Sequence, residues 1–497
     1  MAKKEEGLAY LQMPLPKTSV KAKRIFKRHW NGLNLISDID TGMMTECHAV
    51  SSEAYPSITA FRQPLKYISF GGHIKCATSV YGVGIVVEYE DGEASVHFED
   101  ENGIFETSKL GEESSKFDTS VCAFSKLIDV ENPLEGSKMY VIINPYKVAF
   151  RVSTSIDKNT GKIVIDEIKS DTSWSDMPDI KEAVLFQSRL FCINDTTVFA
   201  SEFNNANGWE TDTSEEYNES NAWWSNVNDE AGLTKITVYG GKPIVFTGSS
   251  MFEINGTKNP FRVTEIGAYG TIAPKSVSIA AGRLVFLSEH GVMSYNGASF
   301  ENISAGISKL FDADVEAKYY GACGCGIGDM YYLSLGEKFY AYNFKIGSWF
   351  DCGWDVTQDD GDIERIRFMY ENSSGNLSVA TKHAVYDFAS ASEEREWGFT
   401  TDIVTAQTCD IKHVRHVQTA FDTKGESGEI KIEAIYYSND GTKTVTLIDK
   451  KVTGRGILRV KPRMSARWGI QFKYTCKGNL DIDALEFITE EGGVLYG

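Results

Sequence analysis

A β-rich phrase that recurs along the chain is the sequence feature that most constrains the fold. Each copy holds an alternating apolar run, a turn, and a second apolar run that ends at an aromatic or glycine-rich corner. Repeats of 40 to 50 residues with about four short strands each are typical of β-propeller blades. Five copies are clearest, and their strands begin 40 to 54 residues apart, at residues 189–192, 243–246, 283–286, 330–333 and 376–379.

Two more divergent units precede these five, one beginning at residue 65 and one over 122–168. In the first, the apolar run 84–89 is followed by Asp91-Gly92, a dipeptide that favours a hairpin turn. The sequence therefore predicts a β-propeller over residues 65–390. Six or seven blades fit the spacing, and an incomplete ring is also compatible with it.

The last hundred residues have a different organisation. A polar stretch at 389–396 precedes strongly alternating segments, and several short antiparallel strands in about a hundred residues are typical of a β-sandwich. In segment 428–437, Ile430, Ile432 and Ala434 share one face with Tyr436. We therefore predict an all-β protein, a propeller followed by a β-sandwich over 397–497. The strand predictions are 400–409, 413–421, 428–437, 442–449, 456–460, 469–476 and 482–488.

The first thirty residues are basic, with eight Lys or Arg and two Glu. The prediction is an N-terminal arm over 1–30, either solvated or docked on an acidic surface of a neighbouring subunit. An extended lead-in over 31–64 follows, with turn signals and two proline-restricted positions. The basic residues proposed for subunit contacts are Lys21, Lys23, Arg24, Lys27 and Arg28.

A tryptophan-bearing insertion is predicted at 203–232, between the third and fourth units. Its Trp209, Trp223 and Trp224 lie among Asn, Ser, Asp and Glu. They either fold back on the blade edge or serve as anchors for a partner, because Trp is enriched at interface hot spots.

The net charge of −19 disfavours general nucleic-acid binding, since duplex affinity comes mainly from Lys and Arg. Nine scattered cysteines without a C-x-x-C pattern indicate buried thiols in a reducing cytoplasm. The sequence has neither an apolar run long enough to span a membrane nor a recognisable secretory signal.

Catalytic motifs do not stand out. The nucleophile-elbow, P-loop and zinc-protease patterns are absent. Glu289 and His290 fit a turn between strands of one blade, and the glycine-rich run 321–326 does not open a helix. Cys323 and Cys325 could share a strand face, but no second ligand pair accompanies them. The expectation is a protein without catalytic residues, metal site or cofactor, and not an enzyme.

Several phrases, in order, resemble a family of bacteriophage and prophage virion proteins with a propeller and a C-terminal β-domain. They are 31–34, 51–58 with Arg62, 186–191 with Ala200, Ser201 and Trp209, 244–256, 284–297, 463–472 and 478–485. The resemblance covers most of residues 30–490. It implies a structural part of the tail, such as a nozzle, hub or connector ring.

The function expected from this resemblance is a ring that forms part of the DNA-ejection conduit. Its partners would be further copies of itself in a cyclic ring, a hexamer being one such ring, and adjacent tail or connector proteins. DNA would pass without specific binding, because acidic walls repel phosphates within about 8 Å at physiological salt. The expected location is the virion tail, after assembly in the host cytoplasm.

Two alternatives remain open from the sequence. The first is a carbohydrate- or receptor-binding virion protein that stacks Trp223 and Trp224 on sugars. The second is a propeller glycoside hydrolase built on a pair of carboxylates, although spacing nominates no such pair among the 69 acidic residues.

Overall fold

The fold was examined in a computed structural model. It describes residues 22–27, 30–39, 41–80, 83–103, 105–111, 122–127, 138–143, 148–171, 177–211, 218–311, 321–358, 361–388, 395–405, 411–438, 441–462 and 464–492. Within these residues the chain is almost entirely β-structure, and the strands are numbered β1 to β39 in chain order. The described residues include two short 3-10 helices, Pro274–Ser276 and Ala305–Leu310.

The strands before the propeller are β1 Ala22–Lys27, β2 Asn31–Leu33, β3 Met43–His48, β4 Val50–Ser51 and β5 Ile58–Ala60. The next are β6 Leu65–Ser69, β7 His73–Val80, β8 Val83–Glu90, β9 Glu93–Glu99, β10 Phe105–Gly111, β11 Cys122–Leu127, β12 Lys138–Ile143, β13 Val148–Ile156, β14 Ile163–Asp171, β15 Glu182–Phe186, β16 Arg189–Ile193, β17 Thr197–Ala200 and β18 Trp223–Asn226. The following are β19 Leu233–Tyr239, β20 Lys242–Thr247, β21 Met251–Asn255, β22 Arg262–Gly267, β23 Ser278–Ala280, β24 Arg283–Ser288, β25 Gly291–Tyr295, β26 Phe300–Asn302, β27 Cys323–Ile327, β28 Met330–Ser334, β29 Phe339–Asn343, β30 Ser348–Asp351, β31 Phe368–Glu371, β32 Leu377–Ala380 and β33 Ala384–Asp387. The last are β34 Glu396–Thr401, β35 Ile411–Ser438, β36 Gly441–Val460, β37 Met464–Ala466, β38 Gly469–Lys477 and β39 Asp481–Gly492.

Strands β6 to β33 form seven four-stranded antiparallel sheets, which are the blades of a propeller. The sheets are β7–β10, β11–β14, β15–β18, β19–β22, β23–β26, β27–β30, and β31–β33 with β6. The last blade takes its outer strand from the start of the propeller, since β6 pairs antiparallel with β33. This exchange closes the ring, so the prediction of a propeller is confirmed and the blade number is seven.

The recurring phrase is the second strand of its blade. Strands β16, β20, β24, β28 and β32 correspond to the five clearest copies, and each lies between two strands of its own sheet. Such a strand is covered on both faces by neighbouring blades and therefore reads as a continuous apolar run. Phe191, Phe246 and Phe286 are fully buried there, and each contributes about 2 to 3 kcal/mol through removal of apolar surface from water.

The remaining strands form one large folded sheet that packs as two layers. The long hairpin of β35 and β36 is common to both layers, because β35 pairs with β38 over its second half and with β39 over its first. The layers meet face to face, with the rings of Phe472 and Phe487 5.0 Å apart. This arrangement confirms the predicted β-sandwich, and Ile430, Ile432 and Ala434 lie fully buried between its layers.

The predicted arm and lead-in are parts of this sandwich. Strand β1 pairs with β39, and β3 pairs with β34. Arg24 donates a 2.8 Å hydrogen bond to Glu486, and Lys27 forms an ion pair with the buried carboxylate of Asp402. Arg24 and Lys27 thus have carboxylate partners within the chain. Docking of the arm on a neighbouring subunit stays a prediction, since residues 1–21 lie outside the described residues. Lys21 and Arg28 lie outside the described residues.

Strands in the sandwich are longer than their sequence pattern predicts. Segments 413–421 and 428–437 belong to the single strand β35, which continues through a register shift between Asp422 and Ser427. Lys424 and Gly425 adopt positive φ at this point. The polar residues at this point have the pattern of a turn, which predicts the end of a strand. In the structure they form an irregularity within one continuous strand.

The propeller and the sandwich share a continuous hydrophobic core. At the seam between them, Arg395 is buried and donates to the carbonyl oxygens of Phe61 and Cys352, both at 3.0 Å. Gly32 lies so close to the propeller that a Cβ there would be 2.2 Å from the carbonyl oxygen of Trp349. The two domains therefore form one unit at the described seam.

Candidate functional site

A cavity of about 800 Å³ lies on the propeller axis, where the first strands of the blades meet. Six blades contribute described residues to its wall. The lining residues used below are Glu182, Lys235, Lys275, Cys323, Gly324, Cys325, Gly326, Phe368 and Glu371. Concave sites with a few convergent polar groups are the usual location of ligand binding, so this cavity is the candidate functional site.

The glycine-rich run 321–326 has a packing role in this wall. A Cβ on Gly326 would lie 2.1 Å from the carbonyl oxygen of Ile279, and one on Gly324 would lie 2.5 Å from the hydroxyl of Tyr331. Only glycine permits β27 to approach β23 of the adjacent blade this closely. The run therefore serves close contact between blades.

Cys323 and Cys325 are buried beside the cavity. Burial raises the pKa of each thiol to about 12, so both stay protonated and unreactive at neutral pH. Among the described residues, no group of three or more His, Cys, Asp or Glu side chains is arranged to hold a metal ion.

Glu182 carries the most distinctive electrostatics of the cavity. Lys235 of the next blade donates to both oxygens of its carboxylate, at 2.8 and 2.7 Å. Burial raises the pKa of Glu182, and the charge of Lys235 opposes this rise. A carboxylic acid with a raised pKa can act as a general acid or accept a hydrogen bond from a polar ligand.

Besides Glu182 and Lys235, the described lining contains one further lysine and one further carboxylate. Lys275 lies 3.9 Å from the centre of the Phe368 ring, a distance that allows a cation–π interaction. Glu371 is the other described carboxylate in the wall. Two lysines and two carboxylates make the described lining close to neutral, which suits a polar ligand without a large net charge.

The predicted tryptophans do not reach this cavity. Strand β18 is the outer strand of the third blade, so part of the predicted insertion is blade structure. Trp223 packs edge-to-face on Phe261 with ring centres 5.4 Å apart, and Trp209 is partly buried against the same blade. Trp224 is 53% exposed and is the tryptophan of the three available to a partner.

Sequence reading missed Glu182 and Lys235. They are 53 positions apart. Glu182 is the first residue of β15 and Lys235 the third residue of β19, the inner strands of two blades. Both residues lie near the start of a blade unit. That position could have marked them as candidates, because the first strand of every blade faces the axis. Glu289 and His290 form the exposed turn between β24 and β25, as expected.

Comparisons with known proteins give architectural likeness only. No family model and no curated protein matches the sequence. Among solved structures, an exo-β-1,3-galactanase from Phanerochaete chrysosporium is 10% identical, with 94% of this chain and 100% of that chain covered and a TM-score of 0.23. A family 43 arabinoxylan arabinofuranohydrolase from Bacillus subtilis is 8% identical, with 84% and 95% covered and a TM-score of 0.20. Hsv2 of Kluyvelomyces marxianus is 9% identical, with 77% and 99% covered and a TM-score of 0.28.

Glycoside hydrolases among these structures contradict the expectation that the chain is not an enzyme, and that expectation is withdrawn. Identities of 8 to 12% and TM-scores of 0.20 to 0.23 limit the likeness to the fold and assign no activity to this chain.

The described residues contain no helix with the length and apolar character that a membrane span needs.

Proposed function

We propose that this chain is a structural component of a phage tail, a nozzle, hub or connector type of ring in the DNA-ejection conduit. Identical subunits would form the ring, with other tail proteins above and below it, and DNA would pass without specific binding. The support is the ordered resemblance of residues 30–490 to virion proteins, together with the position of its first phrases in the fold.

The observation that carries this proposal is the seam between the domains. The resembling phrases 31–34 and 51–58 lie there, where Gly32 meets Trp349 and the amide of Asn343 donates a 3.0 Å hydrogen bond to Ser52. A side chain at position 32 would push the sandwich off the propeller. These phrases therefore specify a rigid two-domain unit, which is what the wall of a mechanical conduit requires.

Mass spectrometry of gradient-purified particles tests this proposal. A small fixed copy number per particle, matching a closed ring, is the expected result. Finding the protein free in the lysate and missing from the particles would refute it.

A second candidate is a glycoside hydrolase with its site in the axial cavity, and Glu182 is the observation that favours it. Its raised pKa suits the acid that protonates a glycosidic oxygen. Glu371 is the described carboxylate that could act opposite to it. Hydrolysis of β-1,3-galactan or arabinoxylan would be measured for the parent protein and for Glu182→Gln, with the exposed Glu93→Gln as control. Activity that is lost only in Glu182→Gln supports this candidate, and inactivity of the parent protein on both polymers counts against it.

Carbohydrate or receptor binding without hydrolysis is favoured by the exposed ring of Trp224. Glycan-array binding that is lost in Trp224→Ala but retained in Trp468→Ala would support it, because Trp468 is exposed to a similar extent, 51%, in the sandwich.

A further inference from the structure

A second concave site lies on the propeller, between the sixth and seventh blades and apart from the axial cavity. It has a volume of about 470 Å³ and is called the basic groove here. Its lining residues are Glu337, Gln358, Gly361, Asp362, Ile363, Arg365, Arg367 and Lys382. Three cationic side chains converge in it, on a chain whose net charge is −19.

The cations sit on backbone that is fixed by hydrogen bonds. Arg367 immediately precedes β31, and its backbone N–H donates to Ala380 at 2.9 Å. Lys382 is in the turn between β32 and β33, and its carbonyl oxygen accepts a 2.8 Å hydrogen bond from Ile74. Both positions therefore belong to the framework of the closing blade.

Two of these cations have no counter-ion. Arg365 pairs with Glu337 at 3.3 Å, whereas Arg367 and Lys382 form no ion pair in the part of the chain that the structure describes. Glu364 lies close to Arg367, but its carboxylate accepts hydrogen bonds from Thr381 and Tyr386. Asp362 is the remaining carboxylate of the groove.

The electrostatics around the groove show the excess of positive charge. Burial lowers the pKa of Arg367, the charge of Arg365 lowers it further, and the charge of Glu364 opposes both effects. Burial also lowers the pKa of His73 on β7, and Lys382, His383, Lys75 and Arg367 add to this effect. Cations outnumber carboxylates in the described lining of the groove by three to two, and a bound anion would relieve the desolvation and repulsion of the partly buried cations.

We propose that the basic groove binds an oxyanion, a phosphate or sulfate group, through Arg367 and Lys382. The planar guanidinium of Arg367 can donate two parallel hydrogen bonds to such a group, and the ammonium of Lys382 adds a point charge. The proposal goes beyond the function proposed above and stands independently of it.

Isothermal titration calorimetry of the full chain with inorganic phosphate tests the proposal. Glucose 6-phosphate and glucose would be titrated in parallel. Saturable binding of phosphate and glucose 6-phosphate, with no binding of glucose, is expected. If glucose 6-phosphate binds more tightly than inorganic phosphate, the ligand is an oxyanion carried on a sugar. If the two bind equally, the groove recognises the oxyanion alone. Absence of binding for both anions at low salt overturns the proposal.

Variants assign the binding to the groove. Arg367→Gln and Lys382→Gln should each raise Kd about tenfold, the loss of one charge-assisted interaction. Arg262→Gln and Lys158→Gln remove equivalent charges elsewhere on the propeller and should leave Kd unchanged. An equal loss in these controls would show a general charge effect and overturn the assignment. Thermal unfolding without ligand verifies that each variant is folded.

Discussion

The carboxylate of Glu182 and the ammonium of Lys235 connect the third and fourth blades across the axial cavity, with Nζ–O distances of 2.7 and 2.8 Å. Each group lies on the inner strand of its own blade, so the pair spans a boundary between two sheets. The interaction therefore holds two neighbouring blades together and also sets the charge of the cavity wall.

Removing one member of this pair should destabilise the propeller. In Glu182→Gln the ammonium of Lys235 loses two charge-assisted hydrogen bonds in a mostly buried position, and the free energy of unfolding should fall by about 2 kcal/mol. The double variant Glu182→Gln/Lys235→Met should recover part of this loss, because no unpaired charge remains. Urea unfolding of Glu182→Gln, Lys235→Met and the double variant measures the coupling free energy between the two side chains. Strictly additive changes in the free energy of unfolding would contradict the prediction.

Glu99 should make the stability depend on pH. It faces Tyr67 of the closing strand, and burial raises its pKa from 4.5 to about 7, with Asp387 and Asp100 raising it further against the hydrogen bond from Tyr67. Because the folded state holds this proton more tightly than the unfolded state, the contribution is complete below pH 4.5 and is lost as the pH rises through 7. It amounts to at most about 3 kcal/mol.

The measurement is the difference in unfolding free energy between the parent protein and Glu99→Gln from pH 4.5 to 8. This difference should change across the interval. Burial also raises the pKa of Asp351, and taking the difference cancels its contribution. Parallel curves for the parent protein and Glu99→Gln would contradict the prediction.

Gly326→Ala should be strongly destabilising, because the new Cβ would meet the carbonyl oxygen of Ile279 at 2.1 Å. Separation of β27 from β23 would cost about 2 kcal/mol or more, as overpacking typically does. Gly321→Ala is the matched control, since a Cβ there meets nothing within 4 Å. Chemical denaturation should show a large fall in the free energy of unfolding for Gly326→Ala and little change for Gly321→Ala. Similar falls in the two variants would be inconsistent with this packing.

Adjacent tryptophans should differ in their effect on stability. Trp223→Ala removes a ring that packs on Phe261 and should cost about 3 kcal/mol. Trp224→Ala alters a half-exposed side chain and should change the free energy of unfolding by less than about 0.5 kcal/mol. Thermal unfolding of the two variants compares them directly, and a large loss in Trp224→Ala would contradict the orientation of β18.

Lys27→Gln should destabilise the sandwich, because it leaves the carboxylate of Asp402 buried without a cation. Gly42 still donates a 2.7 Å hydrogen bond to that carboxylate, so a cost of about 2 to 3 kcal/mol is expected. Lys158→Gln, in an exposed turn of the second blade, is the control. Retention of full stability in Lys27→Gln would show that this ion pair does not stabilise the fold.

The sequence predicts those parts of the fold that repeat locally. The apolar strands at 189–192 and 283–286 are buried on both faces, so their hydrophobicity marks a blade without reference to any partner. The closing strand β6 is different, because nothing within Leu65–Ser69 identifies β33 as its neighbour. The blade count could not be fixed for this reason.

The candidate site was beyond sequence reading for a similar reason. Glu182 and Lys235 come together through the arrangement of blades around an axis, and neither belongs to a motif. The basic residues of β1 were correctly noticed as a cluster, but their partners Glu486 and Asp402 lie near the other end of the described chain. Patterns of charge indicate that a partner is needed, and the fold decides which one it is.

The interleaving of β1 to β5 with β34 to β39 has a consequence for synthesis of the chain. Arg24 and Glu486 are 462 positions apart, so the first strands leave the ribosome long before their partners exist. The propeller can close once β33 has emerged, whereas the sandwich must wait for β39. A prematurely terminated product would thus carry a finished ring with an open, unpaired sheet edge beside it, and an exposed edge of this kind is prone to aggregation.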